Sequence, residues 1–246
     1  MDTVQKVNVF DKELALIKDS KIKKFTKEII KSADDWFFLE PASSSGKYHP
    51  KFAREAGGLI LHTKAVVYFL KELLRSELYS INEYEKDMLI LSAIAHDIKK
   101  YGEKENTGHT LANHPELAVK YVTNINKNGN FVNDDDLSYI CKCISRHMGV
   151  FGDDKPESEG EKLLHISDLL ASRKEIDIEF SKEEKKTATP SLDEYVVDFG
   201  KYIGKPIREV PIDYLEWAIG NITKKPVFLS LAKQVLKENK NEESNK

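Results

Sequence analysis

The feature that most restricts how this chain can fold is an apolar run that ends in two polar residues. Met88-Leu89-Ile90-Leu91-Ser92-Ala93-Ile94-Ala95 leads directly into His96-Asp97. A run of that kind belongs inside a protein, and polar groups carried inside with it are costly unless something pairs with them. The same problem recurs along the chain. Leu61-His62-Thr63, Asn113-His114-Pro115 and Arg146-His147-Met148 each carry a histidine, and Asp168 lies in Ser167-Asp168-Leu169-Leu170.

Apolar residues recur at helical spacing, predicting helices over residues 11–32, 59–78, 83–99, 115–126, 134–147 and 159–173. No alternating strand pattern of convincing length falls among them, so the fold expected for residues 1–175 is an all-α bundle. His62 shares a helix face with Leu59, Val66, Phe69 and Leu73, and His147 shares one with Ile140 and Ile144, so both face inward. A single inward histidine is more often a satisfied core residue than a ligand. Adjacent side chains such as His96 and Asp97 diverge by about 100° on a helix, yet both can reach one ion, or two close ions, from its final turn. Asp168 stands among Ile166, Leu169 and Leu170, where an unpaired carboxylate is expensive. Taken together, these burials are explained most simply by a shared metal centre.

A net charge of −3 over 246 residues argues against a generally basic nucleic-acid binder but leaves local patches open. Lys18, Lys21, Lys23, Lys24, Lys27 and Lys31 line one face of the first helix; this reads as a solvated face, with phosphate steering as the alternative. No stretch approaches the ~20 apolar residues of a membrane span. The N-terminal residues show no signal peptide. Cys141 and Cys143, two apart on a helix, cannot easily bridge. These readings lead to the expectation of a cytoplasmic setting and no membrane partner.

Residues 176–190 are charged and polar and read as a linker. Residues 191–238 differ in character. Tyr195 to Phe199 looks like a short strand, Gly200 to Pro206 like a turn, and short helices follow from about Pro211 and Pro226. Tyr214, Leu215 and Trp217 are expected to pack over the turn, making a small α+β appendage. Residues 239–246 read as a disordered tail.

The pattern His62, His96-Asp97, Asp168, with Gly57-Gly58-Leu59 ahead of the first histidine, resembles the HD-domain superfamily of metal-dependent phosphohydrolases over about residues 36–175. The loop Pro41-Ala42-Ser43-Ser44-Ser45-Gly46-Lys47-Tyr48-His49-Pro50 resembles one found in the exonuclease-like branch. The resemblance implies that His62, His96, Asp97 and Asp168 bind one divalent ion. It also implies that His114 and His147 help bind a second, with Asp97 bridging, or else touch substrate phosphate. Such nitrogen- and oxygen-rich sites suit Mn²⁺, Fe²⁺, Mg²⁺, Co²⁺ or Zn²⁺. Catalysis would then rest on water activated at the metals, with Asp97 in the reacting centre and Lys100 neutralising phosphate charge. Lys99 is the weaker candidate for that role, and a solvated lysine at a helix end is the alternative reading of Lys100.

Lys47, His49, Arg54, His109 and Arg146 are candidate substrate-binding residues, and His165 is expected to support rather than ligate. The segment from Val197 to Trp217 resembles a small FGKYKGKP…YLEW-type domain, sometimes appended to DNA exonucleases. There Lys201, Tyr202 and Lys205 suit either nucleic-acid contact or packing in a homo-oligomer. The expected function is a binuclear-metal phosphodiesterase or nuclease acting on nucleotides or nucleic-acid ends. A nucleotidase or dNTP phosphohydrolase is the alternative, and a catalytically silent ligand-binding module a third.

Overall fold

The computed structural model describes residues 2–43, 49–76, 78–102, 109–181, 183–185, 192–193, 195–222 and 225–244. Four short helices lead the chain: α1 (Thr3–Asn8), α2 (Asp11–Leu16), α3 (Ser20–Lys31) and α4 (Asp35–Leu39). The continuous helix expected over 11–32 is therefore two, broken at Ile17–Asp19. Asp19 caps α3 by accepting from the Lys21 and Ile22 amides. The buried carboxylate of Asp87 accepts from the amides of Lys18 and Asp19, satisfying the exposed chain at the break.

α5 (Gly58–Arg75) is the central helix and packs on α4, α6 (Glu83–Ala95) and α9 (Glu159–Ala171). Its start is set by two glycines. Gly57 takes a left-handed φ of 72°, and a Cβ on Gly58 would lie 2.4 Å from the Ala53 carbonyl oxygen. α6 opens with a capping box between Asn82 and Glu85 and is buried from Asp87 to its end. It stops at Ala95, so His96 and Asp97 sit in the turn just past it.

α7 (His114–Gly129) and α8 (Asp134–Ser145) close the bundle, α8 packing on α6, α7 and α9. One core runs from Val9 to Phe180. Phe180, in the stretch read as a linker, is buried edge-on against Phe52. Cys141 and Cys143 are unbridged. No helix among the described residues is long and apolar enough to cross a membrane.

The C-terminal part corrects the α+β expectation. Among the described residues it holds no sheet, only an isolated antiparallel bridge between Val196 and Pro206, tied by Val197 N–H to Lys205 O at 2.8 Å and Ile207 N–H to Tyr195 O at 3.0 Å. The partner segment turns into a single helical turn at Ile207, directly after Pro206, so the pairing goes no further. The rest is helical: single turns at Gly200–Tyr202 and Ile207–Glu209, then α10 (Ile212–Asn221) and α11 (Pro226–Ser244). α11 continues past Asn239, where a disordered tail was expected, as far as Ser244. These elements share a second core around Phe228, Leu215 and Ile207 that reaches back to Ala56. Leu215 is buried as expected, whereas Trp217 is 52% exposed.

Candidate metal centre

Six polar residues from five elements converge beneath the bundle surface. α5 carries His62, the turn after α6 carries His96 and Asp97, and His114 opens α7. His147 lies two residues past α8, and Asp168 is on α9. His62 and His96 are 0% exposed, and Asp97, His114 and His147 are each 1% exposed. Burial this complete has to be compensated at the centre itself.

Asp97 faces two ways. Its Oδ2 is 3.5 Å from His62 Nε2 and 3.3 Å from His96 Nε2, while its Oδ1 is 2.9 Å from His114 Nε2 and 3.7 Å from His147 Nε2. Asp168 Oδ1 joins the first side, 3.1 Å from His62 Nε2 and 3.8 Å from His96 Nε2. The side chains of His62, His96 and Asp168 form one group able to hold a cation, and those of His96, Asp97 and His147 form another.

The backbone decides which ring nitrogens face inward. Nδ1 of His96, His114 and His147 lies 2.7 Å from the carbonyl oxygens of Ala93, Leu111 and Ile144, each three residues back. A carbonyl only accepts, so each Nδ1 carries a proton and each ring turns its Nε2 to the centre, where the neutral form presents a bare lone pair. The Nε2 atoms of His114 and His147 are 3.2 Å apart. His62 Nε2, His96 Nε2 and Asp97 Oδ1 are buried with no hydrogen-bond partner. Acceptors gathered in this way repel one another unless a cation lies among them. Outer carbonyls holding Nδ1 are also the usual support for metal-ligating imidazoles. The residues present therefore fit divalent metal.

The protonation balance agrees. Burial pushes His147 down to about 3, helped by His96, so this ring stays neutral. Burial alone would raise the Asp97 carboxyl, but Lys100, followed by His96, outweighs it and holds the group well below the usual carboxylate range. Asp168 is lowered in the same way, by His62 first among its partners. His62 goes up: its carboxylate partners overcome the opposing effect of burial.

The HD-domain family matches residues 59–173. The chain carries an HD domain. No curated protein and no solved structure matches the chain. The match takes in His62, the His96-Asp97 pair and Asp168, and a domain of this kind indicates the superfamily of metal-dependent phosphohydrolases.

Around this HD centre the other candidates divide. Lys100 reaches in and pairs with Asp97 Oδ2, whereas Lys99 turns away to Asp34 and lies 4.4 Å over the Tyr121 ring. His49 is beside the centre, its ring edge-on to His62 at 5.3 Å. Burial, reinforced by His62 and Lys100, pushes it down to about 3. At neutral pH it is therefore an uncharged hydrogen-bonding group. Arg54 donates to the His49 carbonyl at 2.6 Å. Arg146 pairs with Glu157 and Glu161, at 2.8 and 2.9 Å. His109 is exposed, and Lys47 lies outside the described residues. Sequence reasoning missed Ser172, whose Oγ lies 3.4 Å from His49 Nε2 and 3.5 Å from Asp168 Oδ1. Its position four residues after Asp168, on the same helical stripe, was the available signal.

Proposed function

We propose that the chain is a two-cation phosphohydrolase that cleaves phosphoester bonds in nucleotides or at nucleic-acid ends. The observation that carries this reading is the pair of oppositely directed Asp97 oxygens, each facing imidazoles whose Nε2 lone pairs are set by backbone carbonyls. His62, His96 and Asp168 would hold one ion, His114 and His147 the other, and Asp97 both. Divalent cations at such a centre lower the pKa of water and neutralise phosphoryl oxygens.

The chain's own groups do the rest. Asp97 and Asp168, kept ionised by their surroundings, supply the negative charge that makes the site selective for cations over neutral ligands. Lys100, buried beside Asp97, is placed to exchange that partner for a phosphate oxygen and to stabilise charge developing there. The tight backbone supports on three histidines keep the geometry from reorganising as charge moves. Support for nucleotides as the substrate class comes from the loop between Pro41 and Pro50 and from the C-terminal segment, both by resemblance.

The test is turnover with Mn²⁺ across nucleoside mono- and triphosphates, cyclic dinucleotides and labelled oligonucleotides, with bound metal measured in parallel. Two equivalents of metal and metal-dependent cleavage of phosphodiesters are expected. Activity confined to free nucleotides would replace the nuclease reading with a nucleotidase one. Absence of turnover in a metal-loaded protein would leave a ligand-binding module.

A further inference from the structure

His165 sits on α9 one turn before Asp168, yet its ring makes no hydrogen bond or ion pair with Asp97 or the other imidazole rings. Its Nδ1 donates to the backbone carbonyl of His147 at 2.7 Å. Two residues past His147, Gly149 takes a left-handed φ of 57°. A Cβ at Gly149 would lie 2.2 Å from the His165 ring. The turn from His147 to Gly149 therefore has a glycine where the His165 imidazole presses against it, and a hydrogen bond that fixes its height on α9. These are independent features, one polar and one steric, and both act on the same turn.

We propose that His165 is a positioning residue that locks the His147 turn onto α9 and thereby sets affinity for the second cation. The proposal rests on the two-cation reading above. The reason for selectivity is geometric. Asp168 is already carried by α9 and His62 by α5, so two of the three residues of the first group stand within helices. His147 lies beyond the end of α8, and its ring aims at Asp97 Oδ1 from a turn. Releasing that turn lets Nε2 drift from the centre while the His62, His96 and Asp168 group stays in place.

The experiment is calorimetric titration of the full-length, metal-free protein with Mn²⁺, comparing wild type, His165→Phe and His165→Asn. Phe keeps the ring volume against Gly149 and loses the donor; Asn places an amide N–H where Nδ1 stood. The expected result is two ions in wild type, and in His165→Phe an unchanged first ion with a second weakened on the order of ten-fold or more. His165→Asn should recover most of that loss. Thermal melting without metal checks that each variant is folded, and Asn serves as the folded reference should Phe fail. Two ions bound by His165→Phe with wild-type affinity would overturn the proposal and leave the two-cation reading standing. Equal weakening of both ions, or no recovery with Asn, would also overturn it, since a general loss of packing predicts that pattern. A wild-type protein that takes up a single ion would overturn the two-cation reading itself, and this proposal with it.

Discussion

Asp97 is the residue on which both halves of the centre depend, because each of its oxygens faces a different set of imidazoles. Asp97→Asn removes the shared charge and turns one oxygen into an N–H₂ donor directed at bare Nε2 atoms. Metal retained after dialysis should fall below one equivalent and turnover by about a thousand-fold or more, whereas Lys100→Ala should keep the metal and lose on the order of a hundred-fold in turnover. Metal retention by Asp97→Asn equal to wild type would remove the bridging role. The protonation states give a pH dependence with a definite sign. His62 in the metal-free fold binds its proton more tightly than the ordinary 6.5, so protons begin to displace its cation above that pH. His147, pushed down to about 3, offers protons no foothold until far lower. Affinity for the ion held by His62 should therefore begin to decline while the pH is still above that ordinary value, roughly ten-fold per unit once His62 is protonated. The ion held by His147 should be lost later. Metal titrations from pH 5.5 to 8 check the order, and loss of both ions together would contradict it. The ligand candidates were legible in sequence because a histidine or aspartate on an apolar face is an anomaly that demands an explanation. The commitments of Arg146 to Glu157 and Glu161, and of Ser172 to His49, were not, because a polar residue beside polar neighbours carries no such signal.

At the scale of elements, the helices were legible and their ends were less so. Periodicity cannot see that Asp87, far along the chain on α6, accepts from the amides of Lys18 and Asp19 and so stabilises a break between α2 and α3. Asp87→Ala leaves those half-buried amides without their acceptor and should destabilise the fold by about 1 to 2 kcal/mol in urea titration, with Asp87→Asn intermediate. An unchanged midpoint for Asp87→Ala would show that the break is held by the local Asp19 cap alone. The stop of α6 at Ala95 matters more for the centre. Past it the chain tightens, with Ile98 N–H on Ala95 O and Lys100 N–H on Asp97 O, each three residues back, and the neighbouring side chains of His96 and Asp97 meet the same group of ligands.

Across the whole molecule there are two cores, joined where Ala56 enters the second one just ahead of α5. Phe228, 0% exposed at the middle of the smaller core, is the test of their independence. Phe228→Ala should cost about 3 kcal/mol, seen by calorimetry as a lowered transition that added metal does not shift, while Mn²⁺ uptake stays at the wild-type level. Loss of metal binding in this variant would mean that the C-terminal part is needed to shape the start of α5. The strand expected near Tyr195 had the right local composition but met a partner segment confined between the helical turns at Gly200–Tyr202 and Ile207–Glu209, so pairing ended at one bridge.

What the sequence determined by itself was the all-α bundle and the family of chemistry. Both rest on local properties, helical periodicity and the identity of polar residues on apolar faces, and the His62, His96-Asp97 and Asp168 pattern is carried on residues that a chain must bring together to be stable. The tertiary structure decided which nitrogen of each ring faces inward, which lysine reaches the centre and which way Asp97 divides. Those depend on carbonyls, carboxylates and glycines brought within a few ångströms by packing, a distance scale on which sequence spacing carries no information.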